Sequence, residues 1–215
     1  MKSPALKQKK GERTRAAILD AAIDMSAEVG LEGLTFGTLA ARLEMSKSGL
    51  FTHFADKREL QLAALEAAQA RFVAAVFPRV LARPRGLPRL WELCAAWLAY
   101  AQGGVFAGGC FFAAVAAEYS NRPGPVRDKV LLLVRDWNLE LQRAIGQAIE
   151  LGHLAAGIDR EQLAFELHSL MAGADNAHQL FGGDEYFMRA WVALRARVLA
   201  VLGPGAPRVP GLQDD

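Results

Sequence analysis

Two helical runs joined by only three residues constrain this chain more than any other feature. In residues 35–43, "TFGTLAARL", Phe36, Leu39, Ala40 and Leu43 fall on one helical face, and Thr35 is a suitable N-cap. In "KSGLFTHF", Leu50 and Phe54 lie four apart and face the same core as Leu39 and Leu43, in a helix of only about two turns. "EMS" separates the two runs, and Ser46 is placed to cap the second. A helix, a three- or four-residue turn and a short second helix follow the helix-turn-helix plan.

The outward face of the short helix has unusual contents. It presents Lys47, Ser48, Thr52 and His53, and the helix strings Phe51, Thr52 and His53 together where an ordinary surface helix carries Glu, Lys and Ala. In helix-turn-helix proteins the second helix enters the major groove of DNA with its N-terminal residues toward base edges. Those four side chains are donors and small groups able to reach bases and phosphates. Gly49 allows a close approach at the crowded start of the helix, at a conformational cost of about 1 kcal/mol relative to Ala. Simple clearance between helices is the other reading of that glycine. The helix N-termini at Thr35 and Ser46 offer N–H groups and positive dipole ends that suit phosphates. Asp56 and Glu59 form a D-x-x-E capping box that opens a long helix through Leu60, Ala64, Ala67 and Phe72. Lys57, just inside it, is placed to clamp the DNA backbone.

Helical periodicity dominates elsewhere too. Ile18, Ala21, Ala22, Met25 and Val29 mark a first helix closed by Gly30. Pro78, Pro84 and Pro88 end or kink the fourth helix, so a domain junction is expected between residues 55 and 85. Further helices are expected at about 88–102, over "CFFAAVAAEYS", from Pro125 to about Ile149, at about 160–181 behind the Asp159/Gln162 capping box, and at about 184–202. No strand pattern and no repeat survive beside these. The expected fold class is all-α with about nine helices. It divides into a disordered basic arm over 1–12, a helix-turn-helix domain over 13–58, a larger helical domain over 59–203 and a disordered Pro/Gly-rich tail over 204–215.

Charge sharpens the reading of the first domain. Residues 1–60 hold ten Lys or Arg against eight Asp or Glu, whereas residues 61–215 hold fifteen of each. The excess lies at one end, with Lys2, Lys7, Lys9, Lys10, Arg13 and Arg15 against Glu12 alone in the first 15 residues. A basic arm on a near-neutral body points to a polyanion partner, and a solvated tail is the plain alternative. The basic, polar start is no signal peptide, and runs such as "CAAWLAYA" are shorter than the roughly 20 residues that span a bilayer. Two cysteines in a chain of 215 residues form no disulfide framework or zinc pattern, which fits a reducing, cytoplasmic setting.

Residues 15–60, "RAAILDAAIDMSAEVGLEGLTFGTLAARLEMSKSGLFTHFADKREL", resemble the TetR family of bacterial transcriptional regulators. The resemblance rests on the ordered string: the helix ending Val29-Gly30, then "LTFGTLA", "MSKSGLFTHF" and "DKREL". It implies a homodimer on a palindromic operator in double-stranded DNA, with Thr35, Ser46, Lys47, Ser48, Gly49, Phe51, Thr52, His53 and Lys57 at contact positions. It implies dimerisation through the helices at about 160–181 and 184–202, and a ligand-binding role for the larger domain, whose unknown small-molecule ligand releases the DNA. One departure stands out. Many members carry Tyr where this chain has Phe51, and Phe51 has no hydroxyl for a phosphate; it is left to contact a thymine methyl or to pack.

The candidate ligand-contacting residues are Trp91, Trp97, Tyr100, Phe111, Phe112, Glu118, Trp137, His168 and Asn176; an aromatic stripe at helical spacing is equally a core. His168 and Asn176 also suit a dimer seam. The scattered histidines lack metal-ligand spacing, and no cofactor or metal is expected. No catalytic residue is expected. Two competing readings remain: a DNA-binding dimer without an inducer, and a helical enzyme using Cys110, which would leave residues 15–60 unexplained.

Overall fold

The protein is described here by a computed structural model that covers residues 4–213. The described residues form nine helices and no strand: α1 Pro4–Val29, α2 Phe36–Arg42, α3 Lys47–Phe51, α4 Lys57–Leu81, α5 Leu87–Gln102, α6 Phe111–Tyr119, α7 Pro125–Glu150, α8 Arg160–Phe181 and α9 Glu185–Leu199. They fall into two compact units. The first takes the chain up to Ala70 together with Phe106–Leu131, and the second takes Arg71–Val105 and the chain from Leu132 onward.

The core of the first unit contains much of the periodic set expected from sequence, joined by Leu31 and Leu34 of the α1–α2 loop, whereas Val29, expected on the inward face of the first helix, is 53% exposed. Ile18, Ala22, Leu31, Leu34, Leu39, Leu50 and Leu60 have no exposed surface, and Phe54 is 1% exposed. Burying each of the larger ones contributes about 1.5–3 kcal/mol. The second unit buries Leu87, Leu90 and Cys94 of α5, Leu141 and Ile145 of α7, Leu163, Leu167 and Met171 of α8, and Leu194 and Val198 of α9.

Local chemistry starts the helices. Asp159 Oδ1 accepts from the backbone N–H groups of Glu161 and Gln162, so α8 is capped; the Gln162 amide donates onward to Glu166 rather than back to the cap. At α4, Glu59 N–H donates to Asp56 Oδ1 (2.8 Å), and Glu59 Oε2 accepts from Ala55 N–H (2.7 Å), one residue before the cap.

Three expectations need correction. Residues 4–12 of the presumed arm are not disordered but form the start of α1; residues 1–3 lie outside the described residues. The helix pattern reaches back because only Gly11 weakens it, and Arg15 then lies over the Phe54 ring at 4.7 Å. Pro78 sits inside α4 and not outside it, although the helix does end in the proline-rich stretch, at Leu81, as expected. Residues 204–213 of the presumed tail are folded, and residues 214 and 215 lie outside the described residues. Val209 and Leu212 are buried, and Arg195 Nε donates to the Leu212 carbonyl at 2.8 Å. Gly205 N–H donates to Gly152 O, Leu212 N–H to Val209 O and Val209 N–H to Gln213 Oε1, so several of the tail's backbone groups are paired.

By length and composition alone, α4 is apolar enough to cross a membrane, which the shorter apolar runs did not foretell. Leu60, Ala64, Leu65, Ala68 and Val76 lie buried, so that apolarity lines a protein core.

Candidate nucleic-acid interface

The reading head is built by two short capped helices. Thr35 Oγ1 accepts from Thr38 N–H (3.1 Å), and Thr38 Oγ1 accepts from Thr35 N–H (3.3 Å), so each satisfies the other's backbone at the start of α2. The chain then reverses through Glu44, whose φ of 52° is left-handed, with Met45 N–H donating to Ala40 O at 3.0 Å. Ser46 caps α3 by accepting from Gly49 N–H at 3.0 Å. Both capping hydroxyls serve their own helix. A Cβ on Gly49 would stand 3.2 Å from Ser46 Oγ, so the clearance at Gly49 is clearance for the cap.

Leu50 and Phe54 are buried, and Lys47, Ser48 and Thr52 are exposed, so α3 turns its polar side outward as its spacing demands. Thr35 and Ser46 are exposed too, and Gly49 and His53 half-buried. Thr52 Oγ1 donates to Gly49 O at 2.7 Å, leaving the hydroxyl free to accept. Phe51 is 52% exposed and stacks on Phe36 of α2, with ring centres 4.4 Å apart and planes at 17°.

Lys57 is not the free clamp that its position suggested. Its ammonium donates to the Glu32 backbone carbonyl and to Glu32 Oε1. Glu32 lies in the α1–α2 loop and gathers two more donors: Gln61 Nε2 (3.1 Å) and the Tyr119 hydroxyl (2.9 Å). Lys57, Gln61 and Tyr119 together hold its carboxyl far below the usual range, at about 2, against the opposing effect of burial. Burial and the bond to Glu32 push the Tyr119 phenol well up. Gln61, 4% exposed, also donates to the Leu31 carbonyl at 2.9 Å.

Glu118 of α6 completes the anchor. Its two oxygens accept from Leu31 N–H and Glu32 N–H, each at 2.8 Å. Gly30 (φ 76°) closes α1 there, where a Cβ would stand 2.7 Å from Glu118 Oε1. A cavity of about 320 Å³ beside it is lined by Ser26, Gly30, Phe111, Val115 and Glu118 among others. Glu32, Gln61 and Tyr119 were missed in the sequence, where nothing marks a partner tens of residues away.

The candidate ligand residues are distributed over both units. In the second unit Phe72 meets Tyr100 (4.9 Å between ring centres) and Trp137 (5.5 Å), and Trp97 meets Tyr100 (6.2 Å). Trp137 Nε1 donates to His168 Nδ1 at 3.1 Å, and burial pushes the His168 pKa down. Trp91 stands apart, paired with Trp191 at 4.5 Å. Phe111 and Phe112 pack with Phe106 in the first unit, and Glu118 holds the α1–α2 loop there. Asn176 is exposed on α8. These five were proposed from aromatic or polar spacing alone, which does not tell which core a helix face joins.

On α8, Phe165, Leu180 and Phe181 are 64–70% exposed, and on α9 Met188 and Val192 are 69% and 67% exposed. Cys110 is buried at the start of α6, and burial pushes the Cys94 thiol up to about 12. No group of three or more His, Cys, Asp or Glu suited to a metal ion occurs among the described residues.

Residues 18–64 match the family described as "Bacterial regulatory proteins, tetR family", and residues 86–194 match "Tetracyclin repressor-like, C-terminal domain". No curated protein matches the chain. Among solved structures, a TetR transcriptional regulator from Chloroflexus aurantiacus J-10-FL superimposes with a TM-score of 0.84 at 19% identity, over 91% of this chain and 98% of that one. A TetR-family regulator from Cytophaga hutchinsonii gives 0.79 at 20% identity, over 90% and 96%. AibR in complex with isovaleryl coenzyme A and operator DNA gives 0.65 at 20% identity, over 87% and 98%. These likenesses concern the fold. The two family matches, one over the reading head and one over half of the chain, carry the assignment: the protein belongs to the TetR family of DNA-binding bacterial transcriptional regulators.

Proposed function

We propose that this regulator is a homodimeric repressor that binds a palindromic operator through α3 and leaves it when a small, largely apolar ligand binds. The observation that carries the DNA half is the division of α3: Leu50 is fully buried beneath a face that exposes Lys47, Ser48 and Thr52. Lys47, Ser48, Thr52 and His53 read bases and phosphates, and Thr35, Ser46 and Gly49 shape the approach. Lys57 acts by fixing the α1–α2 loop through Glu32. The apolar faces of α8 and α9 supply the dimer seam, with Asn176 on it; five large side chains left in water favour a covering partner. Trp97, Tyr100, Trp137 and His168 supply the ligand contacts, a reading in keeping with AibR, which is described with an acyl coenzyme A and operator DNA together. The protein works in the cytoplasm and performs no catalysis. Ring-on-ring packing of that aromatic cluster favours, as a second reading, a DNA-binding dimer without an inducer.

The test begins with selection of duplexes from a random pool. A palindrome is expected, with log affinity falling against log salt at about −0.9 per phosphate neutralised. Lys47→Ala should change the selected sequence. Apolar acids and their thioesters are then titrated against the complex. A salt-independent affinity for DNA refutes the interface, and an operator complex indifferent to every ligand favours the second reading.

A further inference from the structure

The Phe36–Phe51 stack has no role in the reading above. Stacked phenylalanines ordinarily sit in a core, yet Phe51 leaves half its surface in water on the face that carries Lys47 and Ser48. The pair spans the two helices of the reading head. Phe36 is the first residue of α2, Phe51 the last of α3, and Phe36 holds the Phe51 ring flat against it. Lys47, four residues before Phe51 and so on the same face of α3, lies across α2 at Gly37, where a Cβ would stand 3.4 Å from Lys47 Cε. Thr52 follows, with acceptor capacity to spare. A rigid apolar surface with a cation and hydroxyls around it matches one major-groove element. That element is the 5-methyl group of thymine, beside the acceptors that neighbouring bases present.

We propose that the Phe36–Phe51 stack reads a thymine methyl in each operator half-site. The inference rests on the DNA-binding reading and deepens it. Phe51 makes the contact; Phe36 is a positioning residue that keeps the ring from turning away. A phenyl ring offers a phosphate nothing, so the position yields sequence discrimination in place of backbone affinity.

The test uses the full chain and the duplex selected from a random pool. Each thymine is replaced in turn by deoxyuridine, symmetrically in both half-sites, which removes the methyl group and nothing else. One symmetric pair should weaken binding about fourfold per half-site, the factor for one buried methyl, and about fifteenfold for the duplex. Every other pair should stay within about twofold. In Phe51→Ala the discrimination between thymine and deoxyuridine should vanish at that pair, and in Phe36→Ala it should shrink; Phe51→Tyr, which keeps the ring, should retain it. A selected site without a symmetric thymine, a flat scan with the unaltered protein, or a sensitivity that survives Phe51→Ala each overturns the inference while leaving the regulator reading intact. Failure to retain any duplex at low salt overturns that reading and this inference together.

Discussion

Glu118→Ala tests how the reading head is held. The change removes both acceptors of the α1–α2 loop, for Leu31 N–H and Glu32 N–H, each bonded at 2.8 Å. Leu31 is fully buried, so water does not replace its partner, and the cost is about 2 kcal/mol within the usual range for a stranded donor. Glu32 is half-exposed, so its N–H rehydrates and its loss costs roughly 0.5 kcal/mol. Alanine returns a few tenths of a kcal/mol in helix propensity. The net loss is about 2 kcal/mol, or roughly 1 M in urea midpoint for a slope near 2 kcal/mol per M. The reporters separate the units. All four tryptophans, Trp91, Trp97, Trp137 and Trp191, lie in the second unit, so their emission follows that unit while circular dichroism follows both. The dichroism transition should move, and the tryptophan transition should lag behind it. Glu28→Ala is the control: its ion pair with Arg42 is 2.8 Å long but 43% and 56% exposed, and its loss should cost less than about 0.5 kcal/mol. If Glu118→Ala unfolds at the same urea concentration as Glu28→Ala, the anchoring argument is wrong.

Two further outcomes are expected. Phe181→Glu combined with Met188→Glu puts charge on the exposed face of α8 and α9; sedimentation should then show monomers where the unaltered protein shows dimers, and operator affinity should drop about a hundredfold or more. Acid should loosen the first unit through Glu32. Its carboxyl titrates at about 2 when folded and near 4.5 when unfolded, so its stabilisation is complete above 4.5 and is lost as pH falls from there toward 2. The carboxylate is 41% exposed, which limits the effect to about 1 kcal/mol. Glu32→Gln should flatten the pH dependence of unfolding in that window relative to the unaltered protein, and equal slopes would count against the network.

The residues that were legible in the sequence are those whose partners are close along the chain. Thr35, Ser46 and Asp159 cap helices through bonds that reach two or three residues ahead, and the spacing of Leu39, Leu50 and Phe54 alone decides which face of α2 and α3 is buried. From these the all-helical class, the reading head and the exposed row on α3 followed, because helix periodicity and capping are local physics. Residues 204–213 were misread because composition was weighed without the hydrophobic pair Val209 and Leu212, which finds a core only once α9 supplies Arg195 beside it. Lys57 was misjudged for a related reason. Its position inside a helix start marks it as a cation near DNA, yet Glu32 lies 25 residues away and takes its ammonium. Glu118 meets its donors 86 and 87 residues away, Trp137 finds His168 across 31, and Phe36 stacks on Phe51 across a turn. The sequence by itself determined where the helices run and which faces they bury. Tertiary structure decided which polar and aromatic side chains meet, because only packing brings distant donors and acceptors within the 3 Å or so that a hydrogen bond requires.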